Sequence, residues 1–392
     1  MPMDTKLTQL LCDLVALPSV NPESDQQRME PPYGESRVAD YVERYFQRLG
    51  VRTERQQAQP GRYNVLAHIP GADATAPPFL LEAHMDTIGA EGIERPFAPW
   101  VDEGRVYGRG ACDTKGSLAA MMFTLRQVLE EGASLPRGCV LAATADEEFG
   151  MTGARRLLAS EIDFSGAIVG EPTGLRIVPA HDGQLYVKIR ATGEAAHTSM
   201  PQNGINAIYL IHDVIHALRR RASVVYGQRK HPLCGPPKLT VSIIHGGVSE
   251  HIVPDCCEIA IDCRVIPGET CQGMLEEVQG WLADDLPAAV LERIEVAAPH
   301  KAEPPMETPT DHPLVQGMRS AAAQVLGTAE IAGVPYNTDA SHYGAAGLAC
   351  VVFGPGDIAQ AHSSVEFIEI EQLRAAAQIL TQFLTQELAS LP

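Results

Sequence analysis

Two styles of hydrophobic patterning divide the chain. From about residue 40 to 175, short apolar runs alternate with stretches of helical periodicity. Phe79-Leu80-Leu81-Glu82-Ala83, Val140-Leu141-Ala142-Ala143 and Ala167-Ile168-Val169 are strand candidates, and Ala349-Cys350-Val351-Val352-Phe353 repeats the style near the C-terminus. Helical spacing covers 37–49, 117–131 and 151–159. Near-continuous apolar strands alternating with helices predict an α/β fold, a doubly wound mixed sheet covered on both faces.

From about 183 to 297 the period changes. Leu185, Val187 and Ile189 alternate along one strand, and a helix over 205–221 follows with Ile208, Leu210, Ile211, Val214, Ile215 and Leu218 at helical spacing. Leu239, Val241 and Ile243 alternate next, then Ile259, Ile261 and Cys263, then a helix over 272–284 and a strand over 290–296. The order β-α-β-β-α-β is that of a small ferredoxin-like α+β domain. The C-terminal strand and a helix over 370–388 return to the first style. The pattern therefore predicts one domain from residues 1–180 and 300–392, with residues 181–299 inserted into it. The junctions fall at Pro179-Ala180 and at the loop-forming PHKAEPP of 299–305.

Composition narrows the partners. The chain has 392 residues, 45% hydrophobic and 20% charged, enough for a sizeable core. Its 49 acidic against 30 basic residues give a net charge of −19, which repels phosphate backbones. The one dense basic run, Arg219-Arg220-Arg221 with Arg229 and Lys230 beyond, reads as a solvated helix end. No stretch approaches the ~20 apolar residues of a membrane span, and the N-terminal segment up to Val20 reads as an amphipathic helix rather than a signal peptide. The nine cysteines contain no CxxC pair. Reduced thiols and a cytoplasmic location fit this usage, and a thiolate metal site does not.

The candidate chemistry gathers just after the buried strands. His84-Met85-Asp86 follows the strand at 79–83, Asp146-Glu147-Glu148 follows the strand ending near 145, and Glu171 follows 167–169. Asp113 lies in Gly108-Arg-Gly-Ala-Cys-Asp113-Thr-Lys-Gly116, and His362 lies shortly after the Gly354-Pro-Gly-Asp turn. In open α/β sheets ligands bind outside the carboxyl ends of the strands. Two histidines and several carboxylates converging there suit zinc, cobalt or manganese. Each residue alone has a plainer reading, as a loop histidine or as an acidic helix start. Three decoys fail on spacing. Gly108-x-Gly110-x-x-Asp113 lacks the third glycine of a dinucleotide fingerprint, and Lys115-Gly116-Ser117 inverts the phosphate-loop order. His212-Asp-Val-Ile-His216 puts Asp where a zinc-protease helix needs Glu, and both histidines read as surface residues.

Taken together, these motifs resemble the acetylornithine deacetylase / succinyl-diaminopimelate desuccinylase / carboxypeptidase G2 family of zinc metallopeptidases and amidohydrolases. The likeness runs from Leu17-Pro-Ser-Val-Asn-Pro22 to Ala361-His362-Ser-Ser-Val-Glu366, through HMDT at 84–87, GRGACDTKG at 108–116, DEEFG at 146–150, GEPTG at 170–174 and GGVSEHIVPD at 246–255. It implies a catalytic domain carrying two Zn2+ ions, with Co2+ or Mn2+ as substitutes, and an inserted dimerisation or lid domain. It implies His84 and Glu171 on one metal, Glu148 and His362 on the other, and Asp113 bridging them. Glu147 resembles the general base, Asp86 the partner that orients His84, His197 a histidine that reaches the active site from the inserted domain, and Arg264 an anchor for a substrate carboxylate. Thr114 stands where many relatives carry Met, and His251 where Asn is common. The Glu-Pro-Thr at 171–173 leans toward deacylases. The expectation is a homodimeric hydrolase that removes an acetyl or succinyl group from an N-acylated amino acid. The alternative is a metallopeptidase cleaving dipeptides or C-terminal residues. No nucleic acid or membrane partner is expected.

Overall fold

The computed structural model describes residues 3–23 and 34–388. The chain forms two compact units. One comprises residues 1–179, 307–332 and 338–392, and the other residues 180–306 and 333–337. The sequence pattern puts the second junction at 299/300. The second unit runs on to Met306 because Lys301–Glu303 still pairs antiparallel with the strand Gly183–Thr192.

The first unit is built on a mixed sheet. Its strands run in the order Arg52–Gln59, Arg62–Ile69, Cys139–Thr144, Phe79–His84, Ala167–Val169, Cys350–Val352 and Ile177–His181. The first two form an antiparallel hairpin, while Cys139–Thr144, Phe79–His84, Ala167–Val169 and Cys350–Val352 are mutually parallel. Phe79–His84 and Cys139–Thr144 are buried throughout, which is why their sequences read as unbroken apolar runs rather than alternating ones. Phe79, Leu81 and Ala83 share one core cluster with Leu118, Met122 and Leu125 of the helix Lys115–Glu130 and with Leu373, Ala376 and Leu380 of the helix Ile370–Gln382. The alternate positions, among them Leu80 and Glu82, are buried on the opposite face.

Register decides where the chemistry goes. His84 lies opposite Thr144, and Glu82 lies opposite Val169. Phe79–His84 and Cys139–Thr144 therefore end level with one another, and Ala167–Val169 ends two residues short of them, at the same sheet edge. Several elements carry weaker sequence signals. The hairpin of residues 52–69 has one polar strand and so shows no apolar run. The helix Pro313–Leu326 carries only its punctuation, a Pro at its first position and Gly327 at φ +76° beyond its end.

The second unit has a sheet in the order Lys238–Gly246, Cys256–Val265, Gly183–Thr192 and Ile294–Val296, every pair antiparallel. The helices Ala207–Val225 and Cys271–Asp285 supply Ile211, Val214, Leu218, Val278 and Leu282 to its core. Asn206 caps the first helix by accepting from Ile208 N at 2.9 Å, and Thr270 caps the second by accepting from Gly273 N at 3.0 Å. The expected strand over 290–296 is shorter, because Ala288–Leu291 makes a helical turn ahead of Ile294–Val296. Among the described residues, no helix is long and apolar enough to cross a membrane.

Candidate metal centre

Within the first unit, the residues singled out after the strands meet at one place. His84 is the last residue of its strand and 1% exposed. Its Nδ1 lies 3.0 Å from the backbone oxygen of Asp86, and its Nε2 lies 3.1 Å from Asp113 Oδ1. The same Nε2 is 3.8 Å from Glu171 Oε1 and 4.0 Å from Glu147 Oε2. On the far side, His362 Nε2 lies 3.4 Å from Asp113 Oδ2 and 3.1 Å from Glu148 Oε2. Asp113 thus turns one oxygen toward each histidine. The donor atoms of His84, Glu147 and Glu171 lie within 4.8 Å of one another, as do those of His84, Asp113 and Glu148.

Local sequence explains each placement. The turn 108–113 needs glycine at position 110, where φ is +82° and a Cβ would stand 2.7 Å from Thr87 Cγ2. Thr114 donates its hydroxyl to Gly170 O at 2.8 Å, tying the Asp113 turn to the residue before Glu171. Asp146 and His362 are non-glycine residues at positive φ, +72° and +59°, a strain typical of functional sites and held by surrounding contacts. For Asp146 these contacts are Asn21 Nδ2 at 2.9 Å, Gln59 Nε2 at 2.9 Å, Arg62 Nη1 at 3.0 Å and Thr152 Oγ1 at 2.7 Å.

Asp86 organises the adjoining turn. It accepts from Asn21 Nδ2 at 2.8 Å, from Glu147 N at 3.1 Å and from Glu148 N at 3.2 Å, and its Oδ1 lies 3.5 Å from His84 Nδ1. The spacing of His84 and Asp86 suggests such an orienting contact. The bridge through Asn21 has no signal beyond the Ser-Val-Asn-Pro motif, and neither has the buried pair of Glu35 and Arg62, whose Glu35 Oε1 also accepts from Asp146 N at 3.1 Å.

The electrostatics follow from crowding charge in a buried space. Burial, reinforced by neighbouring carboxylates, pushes Glu147 and Glu171 well above the ordinary carboxylate range, and it also raises Glu148. Burial would raise Asp113 too, but the imidazoles of His362 and His84 outweigh it and hold that carboxyl low. Hydrogen bonds to Asp113 and Glu148 push His362 up to about 10.

The donor set fits divalent cations. Buried carboxylates at this density need countercharge. The set is imidazole and carboxylate, and the adjacent Cys112 turns its sulfur away to the backbone oxygen of Asp357 at 3.4 Å. That chemistry suits zinc, cobalt or manganese and not a metal that requires thiolate.

The second unit carries the remaining candidates. His197 is exposed, and its Nδ1 accepts from Ser199 N at 3.1 Å, which makes Nε2 the protonated, donating nitrogen. Its segment is bridged to the GGVSEHIVPD loop through Ile252, and Thr198 N donates to His251 O at 3.2 Å. The two motifs thus form one surface. Arg264 pairs with Asp262 at 2.9 Å and sits beside Gln184. His212 and His216 lie exposed on one helix face, with ring centroids 6.5 Å apart.

Residues 80–386 match the model of peptidase family M20/M25/M40. The chain is 33% identical over 348 residues to the acetylornithine deacetylase of Salmonella arizonae, a match covering 86% of this chain and 87% of that protein. The acetylornithine deacetylase of Salmonella newport matches with the same figures: 33% over 348 residues, 86% and 87%. Among solved structures, a tripeptidase from Staphylococcus aureus superposes with a TM-score of 0.80 at 20% identity, over 98% of both chains. A dinuclear metal binding peptidase of the M20 family from Bacillus subtilis superposes with a TM-score of 0.72 at 17% identity, again over 98% of both. At these identities the solved structures share the fold.

Proposed function

The chain belongs to peptidase family M20/M25/M40 and is an amide hydrolase, and we propose that it removes a small acyl group, acetyl or succinyl, from an N-acylated amino acid with two bound zinc ions. The observation that carries this reading is Asp113, whose Oδ1 faces His84 at 3.1 Å and whose Oδ2 faces His362 at 3.4 Å. A carboxylate presenting one oxygen to each of two imidazoles is what a bridging ligand requires. His84 and Glu171 would complete one metal's set, and Glu148 and His362 the other's. The chain's 33% identity with an acetylornithine deacetylase, and the Glu-Pro-Thr at 171–173, favour deacylation over peptide cleavage.

Two divalent cations held by this donor set would supply Lewis-acid polarisation of the amide carbonyl and would lower the pKa of a bound water toward neutrality. Glu147 is the base. Its carboxylate is raised by burial and by neighbouring charge, so it holds a proton more readily than an ordinary glutamate. It takes the proton from the attacking water and passes it to the leaving amine. Asp86 serves twice, fixing the His84 imidazole and holding the backbone nitrogens of Glu147 and Glu148. In the second unit, the Nε2–H of His197 donates to the carbonyl oxygen as charge develops there. Arg264 keeps donors beyond its Asp262 contact and anchors the substrate carboxylate.

A homodimer through the second unit belongs to the same proposal. The strand Lys238–Gly246 is an edge of its sheet, with Ile243 51% and Ile244 53% exposed. Unpaired edge groups flanked by exposed apolar side chains favour a second strand. The nine cysteines are free thiols, in keeping with a cytoplasmic location.

The test is a panel of N-acetyl and N-succinyl amino acids together with dipeptides, assayed after zinc or cobalt loading, with metal content measured on the same samples. Near two metals per chain and turnover confined to N-acyl amino acids is the expected result. Turnover of dipeptides alone would overturn the deacylase reading, and metal content near zero would overturn the centre.

A further inference from the structure

Arg109 and Glu366 lie outside the donor set, and both are nearly inaccessible, at 3% and 2% exposed. Their side chains form an ion pair of 2.5 Å between Arg109 Nη1 and Glu366 Oε2. Each also spends its remaining capacity on backbone. Glu366 Oε2 accepts from Gly110 N at 3.0 Å, and Glu366 Oε1 accepts from Cys112 N at 2.9 Å and Asp113 N at 3.0 Å. The backbone oxygen of Glu366 accepts from Gly108 N at 3.1 Å. Arg109 Nε donates to Gly89 O at 2.9 Å, and its Nη2 donates to Ser363 O at 3.3 Å.

These partners lie on three loops. Gly89 lies in the loop that follows His84 and Asp86. Gly110, Cys112 and Asp113 are the turn that ends at the bridging carboxylate. Ser363 adjoins His362, and Glu366 is four residues beyond it. One buried carboxylate gathers three N–H groups of the Asp113 turn, and one guanidinium reaches from that turn to the other two loops.

We infer that the Arg109–Glu366 pair is a positioning device that sets the distance between Asp113 and His362 and so fixes the second metal position. The inference rests on the proposed ligand roles of Asp113 and His362. The physical reason is the poor intrinsic order of the two loops. The 108–113 turn and the 361–366 segment belong to no helix or strand, so regular backbone pairing does not hold them in place, and His362 sits at φ +59°. A planar, always charged guanidinium can satisfy two carbonyls and a carboxylate at once in fixed geometry, which a lysine cannot. The pair is also neutral overall, so it adds no charge beside a crowded acidic site.

The experiment is a Co2+ titration of metal-free protein, followed by visible absorption and by competition with a chelator. The unaltered chain, Glu366→Gln, Arg109→Lys and a control, Thr124→Val, are compared. Thr124 is buried and donates its hydroxyl to Ala377 O at 3.0 Å, away from the donor set. Thermal unfolding of each metal-free protein is measured alongside. Glu366→Gln keeps an acceptor on one atom only and presents N–H groups to N–H groups on the other. The first equivalent of Co2+ should bind all four proteins alike. The second should bind Glu366→Gln and Arg109→Lys about 10- to 100-fold more weakly, the usual effect of losing groups that orient ligands, with an altered absorption band. Thr124→Val should lose stability without either change. If Glu366→Gln does not fold, Arg109→Lys carries the test, since it keeps the buried charges balanced. An unchanged second constant and band in the folded variants, with two metals in the unaltered chain, would overturn this inference alone. Fewer than two metals in the unaltered chain would overturn the two-metal reading and this inference with it.

Discussion

Asn21 offers a sharp test of how the turn beneath the donor set is held. It is fully buried, and its Nδ2 donates to Asp86 Oδ2 at 2.8 Å and to Asp146 Oδ1 at 2.9 Å. Its Oδ1 accepts from Glu23 N at 3.0 Å. The substitution Asn21→Ala removes one donor from each of two buried carboxylates. A hydrogen bond to a charged group contributes about 1.5–3 kcal/mol. Asp86 retains the backbone nitrogens of Glu147 and Glu148, and Asp146 retains Gln59, Arg62 and Thr152. Each loss therefore falls at the low end, and the sum is about 3 kcal/mol. Urea unfolding of the metal-free protein reads that number. Asp86 also positions His84 and the Glu147–Glu148 backbone, so kcat should fall about 10- to 100-fold, and metal affinity should weaken to a similar degree. The companion Asn21→Asp sets a third carboxylate between the two and should be worse in both assays. If Asn21→Asp matches the unaltered protein in stability and kcat, the bridging role of Asn21 is refuted.

Three further outcomes are expected. Glu147→Gln should keep its metals and lose about 10²–10⁴ in kcat, whereas Glu148→Ala should be depleted of one metal; equal metal loss in both variants would refute the division of base and ligand. His197→Ala should lower kcat with metal content intact, and Arg264→Ala should mainly raise KM, because a carboxylate anchor holds ground state and transition state alike; normal kinetics in both would remove the second unit from the chemistry. Burial pushes His181 down to about 4 from 6.5, so the unfolded chain takes up a proton that the folded chain refuses until about pH 4. Stability should therefore decline by about 3 kcal/mol as pH falls from 6.5 toward 4, and His181→Gln should flatten that part of the curve; an unchanged slope would show that His181 is not the group responsible.

The sequence determined the two styles of unit and the positions of the donor residues, because both are written locally. A strand buried on both faces must be apolar at nearly every position, so Phe79–His84 and Cys139–Thr144 announce themselves, and the polar residues that follow them stand out by contrast. The inserted unit was legible for the opposite reason, since its one-sided sheet alternates. Pairing decided what local pattern could not. The register that sets His84 opposite Thr144 levels those two strand ends, and the second junction lies at Met306 because Lys301–Glu303 pairs across more than a hundred residues with Gly183–Thr192. The supporting shell was the least legible part. Asn21, Arg109 and Glu366 lie inside motifs of the family likeness and Arg62 in none, and for all four the hydropathic pattern around them does not mark them as buried. They acquire a role only when loops remote in the chain converge, because a side chain satisfying backbone groups on three loops leaves no periodic trace. The sequence carried the chemistry of the donors, and the tertiary structure alone decided the distances between them and what holds those distances.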